Sequence, residues 1–129
     1  MPAVLALVDD LMFQSRIREA ARRAGVDVRA VRRPADLEAA VREGGRLILV
    51  DADDARLPWA AALATLREVT PSPRVRVVAF VSHVHADHAA AARAAGCDRV
   101  LARSAFVQEL PALMAAAAAT PDLREETTP

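Results

Sequence analysis

Apolar runs alternate with amphipathic stretches from one end of the chain to the other. The runs are Ala3 to Val8, Val26 to Val31, Leu47 to Val50, Val75 to Val81 and Arg99 to Ala102. Each is short enough for a strand, and the first, third and fourth are apolar nearly throughout, as strands buried on both faces of a parallel sheet are. These three are therefore expected at the centre of the sheet.

The intervening segments read as helices. Phe13, Ile17, Ala20 and Ala24 recur at three- and four-residue steps that line one helix face, and Gly25 ends it. Pro34 suits the opening turn of a second helix carrying Leu37, Ala40 and Val41, closed by Gly44 and Gly45. Pro58 opens a third with Trp59, Leu63 and Leu66, and Pro71 and Pro73 prevent its continuation. A fourth, with a thin apolar face, runs from Asp87 to Ala95 before Gly96, and a fifth from about Gln108 to Ala119 with Pro111 in its first turn.

Strict βα alternation predicts an α/β fold: a doubly wound, five-stranded parallel sheet of (βα)5 type, with the flavodoxin-like strand order 2-1-3-4-5 as the commonest small solution. Residues 1–119 form this one domain. The segment TPDLREETTP, residues 120–129, has charge and proline without periodicity and reads as a flexible tail or the stub of a linker.

A length of 129 residues fits a single hydrophobic core. Basic and acidic residues number 17 each, so no net field draws the chain to nucleic acid or an anionic membrane. With no Tyr and 3% aromatics there is little material for a base-stacking platform. The lone Cys97 excludes an internal disulfide and reads as a small core residue. MPAVLALVDD lacks a basic leader and meets acid after a short apolar run, so neither signal peptide nor membrane span is expected and the cytoplasm is the expected location.

In open α/β sheets, ligands bind outside the carboxyl ends of the strands, at the switch between the first and third. Asp9 and Asp10 stand at the end of the first strand and Asp51 at the end of the third. Any one of them alone would read as a solvated loop acid. Three carboxylates brought to one crevice repel one another unless a cation neutralises them, and such hard oxygen ligands suit Mg²⁺ with retained waters.

On these residues the chain resembles the receiver domains of two-component response regulators, the CheY-like family, over nearly its whole length. Val8-Asp9-Asp10 before a helix is similar to the family's metal-binding acidic pair, and Asp51 after LILV to its phosphoacceptor. Ser82, closing VVAFVS, stands where the family keeps a Ser or Thr that contacts the phosphoryl group, and Arg103 where it has a lysine. The resemblance implies a cytoplasmic phosphoprotein of signal transduction rather than an enzyme, any autodephosphorylation being incidental. It implies Mg²⁺ held by Asp9, Asp10 and Asp51. A sensor histidine kinase or phosphotransfer protein would be the donor, Asp51 the acceptor, and Ser82 and Arg103 the groups recruited by the new phosphoryl group. A downstream protein target would read the change, with nucleic acid and membrane not contacted by this domain; a homodimer stays open.

The chain departs from the family pattern at several positions. Arg103 offers a planar fork in place of a compact ammonium, and Ser104 stands where the family has proline. Val100 replaces the usual aromatic switch residue. The segment ADDARLPW after Asp51 adds Asp53 and Asp54 beside the pocket, where they would add metal contacts or discourage a dianion. His83 follows Ser82 where a small residue is usual. These mark an atypical receiver and keep open an alternative: a pseudo-receiver interaction module that works without phosphate.

A further motif competes. His83-Val84-His85-Ala86-Asp87-His88 matches the HxHxDH pattern of metallo-β-lactamase-type zinc hydrolases. That family needs additional downstream histidines, and all three in this chain lie inside the motif. Its fold also opens with β layers rather than βα units. The hydrolase is therefore the distant alternative, with transition-metal binding or titration near neutral pH as more modest roles. The plain reading is an exposed helix start in which Asp87 favours the N-terminal dipole.

Overall fold

The structure, a computed structural model, describes residues 2–69 and 75–119. The elements alternate as expected: β1 (Val4–Leu7), α1 (Leu11–Ala24), β2 (Val28–Ala30), α2 (Pro34–Arg42), β3 (Leu47–Asp51), α3 (Trp59–Val69), β4 (Arg76–Val81), α4 (Ala86–Ala94), β5 (Arg99–Ala102) and α5 (Arg103–Ala119). All strand pairs are parallel, in the order β2-β1-β3-β4-β5.

Burial follows from position in the sheet. Every residue of β1 and β3 is buried, and β4 is buried after Arg76, whereas the edge strands β2 and β5 are only partly covered. One face of the sheet packs Leu5, Leu7, Ile48 and Val50 against Leu37 of α2 and Leu63 of α3. The opposite face packs Val4, Leu49 and Phe80 against Ile17 of α1 and Phe106 and Met114 of α5. Each such aliphatic or aromatic side chain contributes about 1.5–3 kcal/mol on full burial. Phe80 stacks between Phe13 (ring centroids 4.7 Å apart) and Phe106 (4.4 Å), directly beneath the end of β4.

Local signals explain the helix boundaries. Asp10 caps α1 by accepting the Phe13 N–H at 3.1 Å, and Gly25, at φ 73°, closes it in the left-handed region that glycine adopts without a Cβ clash. Gly45 permits close approach before β3: a Cβ there would lie 2.7 Å from Leu5 Cδ1 and 3.2 Å from the Ala40 carbonyl oxygen.

One boundary is corrected. The fifth helix begins at Arg103, directly after β5, and not near Gln108, so Pro111 lies inside it rather than in its first turn. The buried face Phe106, Leu110, Leu113, Met114 and Ala117 needs the earlier turn to place Phe106 against the aromatic stack. Packing outweighs the proline signal here, and the exposed ring of Pro111 sits on the outer face. The expected turn at Pro71 and Pro73 and the tail at 120–129 fall outside the described residues. Among the described residues, no helix is long and apolar enough to cross a membrane.

Candidate functional site

Four strands deliver the candidate residues to one end of the sheet. Asp9 and Asp10 link β1 to α1, Asp51 is the last residue of β3, Ser82 follows β4, and Arg103 follows β5 as the first residue of α5. Helices leave the sheet on opposite faces from β1 and β3, which opens a crevice between those strand ends.

Asp51 is 3% exposed, the one buried residue among the described polar and charged side chains. Its Oδ1 accepts the Asp53 N–H at 3.0 Å and lies 3.4 Å from Arg103 Nη2. Burial pushes its carboxyl above the ordinary carboxylate range. The Asp53 N–H and the Arg103 charge pull it down, and the charges of Asp53 and Asp54 add to the rise. Arg103 reaches this point across the aromatic stack, its guanidinium carbon 5.0 Å from the Phe13 ring centre and 5.6 Å from that of Phe80.

Asp53 is the hub of the site. Its Oδ2 accepts the Ser82 backbone N–H at 2.6 Å and Arg103 Nε at 3.2 Å. Its Oδ1 meets His85 Nδ1 at 2.9 Å and His88 Nδ1 at 2.7 Å. Burial raises its carboxyl, but the hydrogen bonds from His88, Ser82, His85 and Arg103 outweigh that and hold it at about 2. His88 rises in response through its hydrogen bond to Asp53, against some desolvation, with the charges of Asp87, Asp53 and Asp51 adding.

The other acids are engaged differently. Asp9 pairs with Arg32, which follows β2, and Asp10 spends Oδ1 on the α1 cap. Arg56 Nε lies 3.4 Å from Asp54 Oδ1. His83 is exposed.

Arg103 thus brings Asp51 and Asp53 together, and Asp53 brings in Ser82, but the oxygens of Asp9, Asp10 and Asp51 do not all lie within 4.8 Å of one another. Among the described residues the one set of three ligating groups that meets this distance is Asp53, His85 and His88. The sequence marks Asp53 as an extra acid beside the pocket, available for metal contacts, but not as a partner of His85 and His88. Its partnership with the two histidines depends on how the loops after β3 and β4 fold toward each other, which no local pattern encodes. The Asp9–Arg32 pair likewise carries no sequence signal.

No family model matches the chain, and no curated protein matches it in sequence. Solved structures do match in shape. The receiver domain of NtrX from Brucella abortus superposes with a TM-score of 0.69 at 19% identity, over 92% of this chain and 99% of that one. A response regulator receiver domain protein from Clostridium thermocellum gives 0.70 at 16% identity, covering 98% of each chain. The receiver domain of Ssk1 from Saccharomyces cerevisiae, crystallised with the histidine phosphotransfer protein Ypd1, gives 0.65 at 18% identity, over 87% of this chain and 90% of that one. In strand order, connectivity and extent, the chain has the CheY-like fold of response-regulator receiver domains.

Proposed function

We propose that the chain is an atypical receiver that accepts a phosphoryl group on Asp51 from the phosphohistidine of a kinase or phosphotransfer protein. The observation that carries this reading is the setting of Asp51: a buried carboxylate at the β1/β3 switch point, one oxygen held by a backbone N–H and approached by the Arg103 guanidinium. In the transfer, the P–N bond of the donor breaks as an Asp51 oxygen forms the P–O bond, and the departing imidazole takes up a proton. Arg103 stabilises the negative charge spread over the phosphoryl oxygens. The exposed Leu11 and Met12, which follow Asp10 at the mouth of the site, offer apolar surface to the donor protein.

Carboxylate oxygens of Asp9, Asp10 and Asp51 are the donor type that Mg²⁺ takes; they do not all lie within 4.8 Å of one another, and the ion's retained waters would have to span the gap. These three residues would hold it, with Asp9 released from Arg32. When bound it supplies neutralising charge at the acceptor. We assign this chemistry to the receiver-like domain and read it as signalling rather than enzymatic turnover.

A specific observation favours the second reading, a pseudo-receiver that works without phosphate. Asp53 takes the Ser82 N–H and Arg103 Nε, groups that an incoming phosphoryl group would recruit, so the site carries its own anion. Incubating the protein with Mg²⁺ and a small phosphodonor, followed by intact mass, separates the two. The phosphoacceptor reading expects one added phosphoryl group on wild type and none on Asp51→Asn. The pseudo-receiver expects none on either.

A further inference from the structure

We propose that Asp53, His85 and His88 form a binding site for a borderline transition-metal dication of the Zn²⁺ class, distinct in ligand set from the acids at 9, 10 and 51. It stands whether or not Asp51 accepts phosphate.

Three separate features of the geometry converge on it. His85, preceding α4, and His88, in its first turn, are spaced i, i+3 and share one side of the helix start. Both direct Nδ1 at the same atom, Asp53 Oδ1, at 2.9 Å and 2.7 Å, with ring centroids 4.5 Å apart. The other carboxylate oxygen is fixed from behind by the Ser82 N–H and Arg103 Nε, the kind of outer hydrogen bonding that orients a metal-ligating carboxylate.

Metal–ligand bonds of about 2.0–2.2 Å in a tetrahedral arrangement place ligand atoms roughly 3.3 Å apart. The present separations need to open by roughly half an ångström to reach that spacing. The histidine side chains are 45% and 35% exposed, so small rotations suffice and solvent has a direct path to the ion. Each imidazole would carry its remaining proton on Nε2 and offer the Nδ1 lone pair.

Two nitrogens and one oxygen suit Zn²⁺, Ni²⁺, Co²⁺ or Cu²⁺ and not Mg²⁺ or Ca²⁺, and the remaining position falls to water or to a donor from a partner. Arg103 repels such an ion, but Asp51, Asp53, Asp54 and Asp87 around it outnumber Arg103 and Arg56. The HxHxDH motif is thereby divided: His85 and His88 ligate, His83 does not, and Asp87, 83% exposed, lies 3.8 Å from His88 Nε2 on the side away from Asp53.

The test uses tag-free, chelator-stripped full chain titrated with Co²⁺ in excess Mg²⁺, read by visible absorption and calorimetry. The site predicts saturable binding of one equivalent with a d–d band, and a loss of affinity of at least about tenfold in His85→Ala and in His88→Ala. His83→Ala should bind as wild type. As a measurement free of variants, imidazole nitrogen NMR with Zn²⁺ should shift Nδ1 of His85 and His88 and leave His83 in place. Absence of saturable binding, wild-type affinity in His85→Ala and His88→Ala, or a shift confined to His83 would overturn the assignment.

Discussion

Arg103 approaches Asp51 with Nη2 at 3.4 Å while its Nε is spent on Asp53, so one guanidinium bridges the two most deeply placed carboxylates of the site. A lysine ammonium is a point charge without this fork, whereas the planar guanidinium serves Asp51 and Asp53 together.

Removing that bridge leaves two acids without their shared cation. Arg103→Ala is expected to destabilise the fold by about 1–3 kcal/mol in urea unfolding at neutral pH, below the cost for a fully buried pair because a third of the side chain is exposed. Arg103→Lys should recover part of the loss. Equal stability of Arg103→Ala and wild type would show that the bridge does not contribute.

The aromatic stack below the site supports it. Phe80 is fully buried between Phe13 and Phe106, and Arg103 lies over it, so Phe80→Ala is expected to cost about 3–5 kcal/mol. The same unfolding measurement checks this, and a loss under 1 kcal/mol, small beside that expected range, would mean the stack is not a unit of the core.

Asp53 and His88 give the metal-free protein a defined pH response. The Asp53 carboxyl, held at about 2, supports folding above its ordinary value of 3.8, and this support is lost as pH falls toward 2. His88, raised above 6.5, supports folding fully below that value and loses its contribution as pH rises through the raised midpoint. NMR titration should show the His88 midpoint falling toward 6.5 in Asp53→Asn, with a flatter stability profile on both sides. An unchanged midpoint would contradict the pairing.

Cys97 tests the packing between α4 and β5. Burial pushes its thiol to about 11 from the ordinary 9, against the Arg67 charge and helped by Asp98. Native protein at pH 8 should therefore alkylate about 100-fold more slowly than a free thiol from thiolate fraction alone. Between pH 9 and 11 the unfolded chain releases this proton and the folded chain keeps it, so stability declines across that window. Alkylation at the rate of a free thiol would refute the burial.

Much of the fold was legible in the chain because its signals are local. Runs such as Leu47 to Val50 are buried on both faces, and a stop such as Gly25 acts within one turn, whereas the capping of α1 by Asp10 appears only in the structure. The start of α5 was not legible, since the burial of Phe106 against Phe80 is a tertiary gain that a proline-based boundary does not anticipate. In the site, the position of Asp51 at a strand end follows from alternation, and Ser82 and Arg103 from the receiver resemblance. The meeting of Asp53 with His85 and His88 does not, because it joins residues more than 30 positions apart in loops whose course the pattern leaves open.

The proposed function requires Asp51 to be a phosphoacceptor. Intact mass after incubation with Mg²⁺ and a small phosphodonor measures this directly, beside Asp51→Asn and Asp53→Ala. The expected result is one phosphoryl group on wild type, none on Asp51→Asn, and faster labelling of Asp53→Ala, in which Arg103 Nε and the Ser82 N–H lose their acceptor. An unlabelled wild type, or labelling that persists in Asp51→Asn, would contradict it.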